Sequence, residues 1–167
     1  MKEQDYDRLL RIKTEGIREW HHQSAHYNRY EATPYMALEA LFDEYRCIST
    51  DRFVDFGCGK GRFPFYIHHH FRTSVTGVEM SGQLYQEAME NLGKYMERAK
   101  RSRAFLQFER ILAEEYNVDS ADNRFYFFNP FSIQIFQKVI SNILLSVENH
   151  PGSKFCIQHP SHSLQVS

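Results

Sequence analysis

Phe53-Val54-Asp55-Phe56-Gly57-Cys58-Gly59-Lys60-Gly61-Arg62 is the stretch that decides how this chain folds. Its apolar start reads as a buried strand, and glycines at alternate positions then break the pattern. Glycine turns tightly and lets a ligand approach backbone that a Cβ would shield. The next residues, Arg62 to Phe71, carry a helix pattern whose first turn offers unpaired amides. Strand, glycine loop and helix together describe a small-molecule cradle at the end of a first strand.

Outward from this loop, strand and helix patterns alternate. Ser74–Glu79 reads as a second strand ending in an acid, and Ser81 as the cap of a long helix reaching about Ala99. Ala104–Phe108 is a third strand candidate. Arg124–Phe128 is a fourth, almost wholly apolar, as in a sheet covered on both faces. Residues 132–147 read as helix and 154–158 as a fifth strand. This rhythm implies right-handed crossovers and an α/β fold: a doubly wound, mainly parallel Rossmann-like sheet of about five strands.

Before the loop, residues 5–20 place Leu9, Ile12, Ile17 and Trp20 among charges, as one amphipathic helix or a pair interrupted near Gly16. Thr33-Pro34 looks like an N-cap with proline in the first turn of a helix reaching about Arg46. The expected organisation is a single domain, with residues 1–33 as a helical N-terminal extension or lid and 34–167 as the ligand-binding part.

With Lys+Arg 20 against Asp+Glu 21, the formal net charge of -1 gives no global attraction to nucleic acid or membrane. Three cysteines without a Cys-x-x-Cys pair argue against a disulfide framework or zinc site, and no apolar run approaches membrane-spanning length. A reduced, cytoplasmic protein is the expectation. Consecutive His68-His69-His70 point in different directions on a helix, so a solvated helix end is expected there and no metal site. His22 and His26 share a face if helical, without a carboxylate in register. Lys94, Arg98, Lys100, Arg101 and Arg103 read as a solvated basic face near a helix end.

The glycine loop, with Asp55 before it and Glu79 closing the second strand, resembles motif I of the class I S-adenosylmethionine (SAM)-dependent methyltransferases. A carboxylate at the second strand's end suits ribose hydroxyls, because both oxygens accept hydrogen bonds. A dinucleotide fold wants Gly-x-Gly-x-x-Gly; here Gly61 comes one residue early and Arg62 stands where the last glycine belongs. Phe128-Asn129-Pro130-Phe131 resembles motif IV of the amino-group methyltransferases, Asn/Asp-Pro-Pro-aromatic. It departs in having one proline, and is closer to a poorly characterised bacterial group with Asn-Pro-Phe. The resemblance covers roughly residues 28–158.

The resemblance implies SAM as cofactor, with Gly57, Cys58, Gly59 and Gly61 lining its methionine end and Asp55 facing its ammonium. Glu79 would hold the ribose, Met80 would flank adenine, and Ala113-Glu114 would pack against that ring. Asn129 would lie nearest the methyl group and, with Pro130 and Phe131, position an unidentified acceptor, a nitrogen nucleophile by preference. Tyr27, Tyr30 and Thr33 lie where such proteins close a lid. The implied reaction is direct methyl transfer with no covalent intermediate.

Two other functions fit the same residues: a non-catalytic SAM- or nucleotide-binding module, and an NAD-dependent oxidoreductase, against which Gly61 and Arg62 argue. Class I methyltransferases usually end in a two-strand hairpin, with an antiparallel strand beside the fifth. The residues after His159 read as polar and patternless, so the chain is expected to lack that hairpin, as a shortened relative. The fifth strand would be left as an open edge, possible ground for a covering homodimer.

Overall fold

The structure, a computed structural model, describes residues 2–16, 29–99 and 102–150, together with two C-terminal strands. The elements are α1 (Glu3–Leu10), α2 (Tyr35–Glu44), β1 (Arg52–Phe56), α3 (Arg62–Phe71), β2 (Ser74–Val78) and α4 (Gly82–Met96). They continue as β3 (Leu106–Glu109), β4 (Arg124–Phe127), α5 (Ile133–Asn149), β5 (Phe155–His159) and β6 (His162–Val166). Among the described residues, these strands form one sheet in the order β3-β2-β1-β4-β5-β6. All neighbours are parallel except β5 and β6. The doubly wound parallel sheet expected from the sequence is present.

Its C-terminal edge differs from expectation. The segment read as patternless forms β6, antiparallel to β5, with Ile157 opposite Leu164 and Phe155 opposite Val166. Main-chain groups close such a pair whatever side chains they carry, so a polar strand suffices at a sheet edge. Leu164 and Val166 also recur at the strand period of two. The outer edge of β5 is therefore covered by its own chain.

Alternation along the central strands divides the core between the two faces. Phe53 and Tyr126 join Tyr35, Phe63 and Phe65 on one face, with α1 to α4. Val54, Phe56, Phe125 and Phe127 meet Ile135, Val139 and Ile143 of α5 on the other. Phe63 stacks on Tyr126 with ring centroids 3.7 Å apart. At the amino ends of β1 and β4, Arg52 pairs with Asp122 at 2.9 Å and Arg124 with Asp51 at 2.8 Å. These pairs tie the end of the sheet opposite the glycine loop.

The N-terminal helix is shorter than its apolar spacing implied. It ends at Leu10, and Arg11 takes a left-handed turn at φ 58°. Ile12 continues into the core outside the helix, while Leu9 is 50% exposed. Ile17, Trp20, His22, His26 and Tyr27 lie outside the described residues, as do Lys100 and Arg101. Lys94, Arg98 and Arg103 are exposed.

Thr33 is not the cap of α2. Its hydroxyl bonds to the Tyr126 hydroxyl at 2.9 Å, Pro34 takes the N-cap position, and Glu3 Oε1 accepts from the Tyr35 N–H at 2.8 Å. Ser81 does cap α4, accepting from the Leu84 N–H.

The three histidines of α3 do not form a uniformly solvated end. His68 is buried, with Nδ1 2.8 Å from the Tyr95 hydroxyl and Nε2 3.3 Å from the Ala104 carbonyl. With Nε2–H donating to that carbonyl, Nδ1 accepts from Tyr95, a neutral ring with both nitrogens occupied. Burial lowers its pKa from the ordinary 6.5. No helix among the described residues is long and apolar enough to cross a membrane.

Candidate functional site

Strand order reverses between β1 and β4, and in an open parallel sheet the crevice outside the carboxyl ends at such a reversal is where ligands bind. The Asp55–Arg62 stretch leaves β1 on one side of this crevice, and residues 128–131 leave β4 on the other. Gly57, Gly59 and Gly61 take left-handed φ values of 77°, 56° and 92°, which side-chain-bearing residues rarely adopt. Gly57 and Cys58 both donate to the Val78 carbonyl, at 2.9 and 3.0 Å, folding the loop across the end of β2. A methyl group on Gly57 would overlap the Pro130 ring. The two loops that the sequence marked separately are therefore in contact.

Two buried carboxylates meet behind the loop. Glu79 accepts from the Gly59 N–H at 2.9 Å through Oε2 and from the Ser81 N–H at 2.8 Å through Oε1. Its pKa is raised from the ordinary 4.5 by burial, against which these amides and that of Met80 act. Asp55 is only 4% exposed and has no side-chain hydrogen bond to any of the described residues. Burial first, and the charge of Glu79 second, hold its carboxyl well above the ordinary 3.8. An unpartnered buried carboxylate is costly unless a cation or a proton neutralises it. Burial beside Asp55 and Glu79 likewise raises the Cys58 thiol, so it stays neutral and is a poor nucleophile.

Asp55, Gly57 and Cys58 line a narrow cleft of about 30 Å³ together with residues 30–33. Arg62, Phe63, Tyr126 and Phe128 complete it. A short strap thus lies across the cleft. Tyr30 donates to the Thr14 carbonyl at 2.7 Å, Thr33 bonds to Tyr126, and Arg62 Nη1 donates to the Thr33 carbonyl at 3.1 Å. Arg62 Nε also donates to Thr14 Oγ1 at 2.7 Å, its guanidinium pairs with Glu3, and it lies 4.4 Å from the Tyr35 ring centroid. Asp7 completes the network, accepting from the Thr14 N–H at 2.6 Å and from the Tyr35 hydroxyl at 2.7 Å.

Of the other residues singled out in the sequence, Gly59 and Gly61 remain in the loop, Gly59 under Tyr30 and Gly61 against Phe65 and Phe108. Met80 is 38% exposed and is not among the residues that line the cleft. Asn129 takes a left-handed φ of 46° on the surface, and Pro130 abuts Gly57. Phe131 turns into the core, with its ring centroid 6.2 Å from that of Phe127. The neighbouring Phe128 is the aromatic residue of this stretch that lines the cleft. Ala113 is buried in a 3₁₀ turn, Ala113–Glu115, where the Glu114 carbonyl accepts from Asn142 Nδ2 at 2.8 Å. Glu114 faces a shallow depression shared with Gln134 and Lys138 of α5, outside the cleft that holds Asp55.

Tyr126, Phe128 and the buried role of Arg62 were missed in the sequence. Tyr126 had a signal: it is the one hydroxyl in Arg124–Phe127, and the register sets it beside Asp55. Arg62 had none, because its partners are 29 to 59 residues away.

No protein-family model and no curated protein sequence matches this chain. Solved structures do. An RNA methyltransferase from Salinibacter ruber, in complex with S-adenosyl-L-homocysteine (SAH), matches over 76% of each chain with TM-score 0.57 and 19% identity. A SAM-dependent methyltransferase from Thiobacillus denitrificans, also with SAH, matches over 73% of this chain and 47% of its own, with TM-score 0.54 and 18% identity. Phosphoethanolamine N-methyltransferase 2 from Haemonchus contortus, with phosphomonomethylethanolamine and SAH, matches over 74% of this chain and 27% of its own. Its TM-score is 0.55 and its identity 23%. This chain thus spans less than half the length of the latter two. The fold is that of the class I SAM-dependent methyltransferases.

Proposed function

We propose that this chain is a cytoplasmic SAM-dependent methyltransferase acting on a nitrogen nucleophile. The observation that carries the reading is the Asp55–Glu79 pair at the strand-order reversal: one buried carboxylate without a side-chain hydrogen bond among the described residues, the other bound to the glycine loop. Such a site wants a ligand with a cationic end for Asp55 and hydroxyls for Glu79. SAM has both, and when bound it supplies a methyl group on an activated sulfonium.

In this reading Asp55 accepts from the cofactor's ammonium group. The Gly57–Gly61 loop, with Cys58, lets the methionine end lie close to backbone, and the amino end of α3 faces it. Glu79 keeps its amide bonds and offers remaining lone pairs to the ribose hydroxyls. Met80 flanks the adenine ring, with Ala113-Glu114 as its further neighbours. Asn129 accepts from the acceptor nitrogen and aligns its lone pair, with Pro130 holding the loop against Gly57. The work of the protein is then to position two reactants and exclude water. Cys58, kept neutral by burial, takes no covalent part.

Calorimetric titration of the purified chain with SAM and SAH, and with NAD as control, tests this. Micromolar binding of both sulfur ligands but not NAD supports the reading. A folded chain that binds neither sulfur ligand overturns it. Binding without methyl transfer to any amine, nucleobase or protein acceptor would favour a non-catalytic binding module.

A further inference from the structure

The aromatic ring of Tyr30 lies against Gly59, so close that a methyl group there would overlap its Cδ2 and Cε2 atoms. Tyr30 is 8% exposed, its hydroxyl is held by the Thr14 carbonyl, and Lys60 Nζ stands 5.3 Å from its ring centroid. Residues 30–33 leave only about 30 Å³ between themselves and Asp55, room for little more than a water molecule. The face of the glycine loop that a ligand must reach is thus already covered by the protein's own aromatic side chain.

From this we infer that Tyr30 is a self-competing gate: in the free protein it occupies the place over Gly59 that the ligand's methionyl end takes, and binding requires the strap 29–33 to withdraw. The inference rests on the proposed cofactor reading. Local construction supports it. The strap is held over the cleft mainly by polar contacts: Tyr30 to Thr14, Thr33 to Tyr126, and Arg62 to the Thr33 carbonyl. All three bonds are buried and break together when the strap withdraws, so the closed form is favoured and the open fraction small. A site competent only when the strap is open has its apparent affinity reduced by the open fraction. Removing the ring raises that fraction, so it tightens binding and speeds association.

The test is stopped-flow and calorimetric binding of SAH to the full chain and to Tyr30→Ala and Tyr30→Phe, each verified as folded by circular dichroism. Tyr30→Ala is expected to associate about tenfold faster and bind more tightly than the wild type. Tyr30→Phe, which keeps the ring but loses the bond to Thr14, should fall between them. An observed association rate that levels off with SAH concentration in the wild type, at a plateau raised in Tyr30→Ala, would mark strap opening as the limiting step. Equal or weaker binding by Tyr30→Ala, while the wild type binds SAH, overturns the gate and leaves the cofactor reading intact. If no folded variant binds SAH, the cofactor reading fails and the gate fails with it.

Discussion

Glu79 and Gly59 are joined directly: the Gly59 N–H donates to Glu79 Oε2 at 2.9 Å, tying the tip of the glycine loop to the residue after β2. The other carboxylate oxygen takes the Ser81 N–H at the start of α4. One side chain thereby sets the spacing between the glycine loop and the start of α4.

Glu79→Ala should loosen the loop as well as remove a ribose partner. We expect SAH binding to weaken by at least tenfold, and stability to fall by about 1–3 kcal/mol as the Gly59 amide loses its buried acceptor. Glu79→Gln retains an acceptor oxygen and should lose less of both. Calorimetry and urea unfolding measure the pair, and an unchanged affinity in both variants would remove Glu79 from the site.

The raised pKa of Asp55 gives the site a pH dependence with a definite sign. The folded free protein holds a proton there above the ordinary 3.8, where the unfolded chain has lost it. Asp55 therefore makes the free protein less stable as pH rises through that window. A cationic ligand prefers the ionised form, so SAH affinity should increase with pH over the same range. Titrations from about pH 5 to 8 check this, and Asp55→Asn should flatten the affinity profile. An equally steep profile in the variant would place the responsible proton elsewhere.

His68 acts in the opposite direction. Burial lowers its pKa below the ordinary 6.5, so the unfolded chain takes up a proton that the folded one refuses, and stability falls as pH drops below that value. Replacing His68 with Gln should reduce the acid-side loss seen in thermal melts, even if the variant is less stable at neutral pH.

Arg62→Ala should be among the most destabilising single changes at the surface of the cleft, by roughly 3 kcal/mol, because it strips partners from Glu3, Thr14 and the Thr33 carbonyl together. Arg62→Lys restores the charge but not the forked geometry, and should recover only part of that loss. Denaturant midpoints decide it.

A change at Asn129 should separate binding from transfer. Its left-handed backbone at φ 46° makes glycine the cleanest replacement, removing the side chain without strain. Asn129→Gly should bind SAH as the wild type does while losing methyl transfer by about tenfold or more. Matching losses in both would make the residue structural.

What this sequence determined by itself was what repeats locally. Alternation and helical spacing placed α3 at Arg62–Phe71, and the apolar strand before Gly57 with an acid closing the next strand marked the carboxyl ends of β1 and β2. Each of these is a property of a few neighbouring residues, so a short window contains it. Contacts between distant segments had no such window. Tyr30 over Gly59, Arg62 binding Glu3 and Thr14, and Pro130 against Gly57 join residues far apart in the chain, brought together only when the crossovers stack helices on the sheet. Phe131 went to the core because the chain leaving β4 turns it toward Phe127, whatever its motif. The polar β6 formed because the free edge of β5 needed main-chain partners, a demand that belongs to the sheet and leaves only the short Leu164/Val166 alternation as its trace in the sequence.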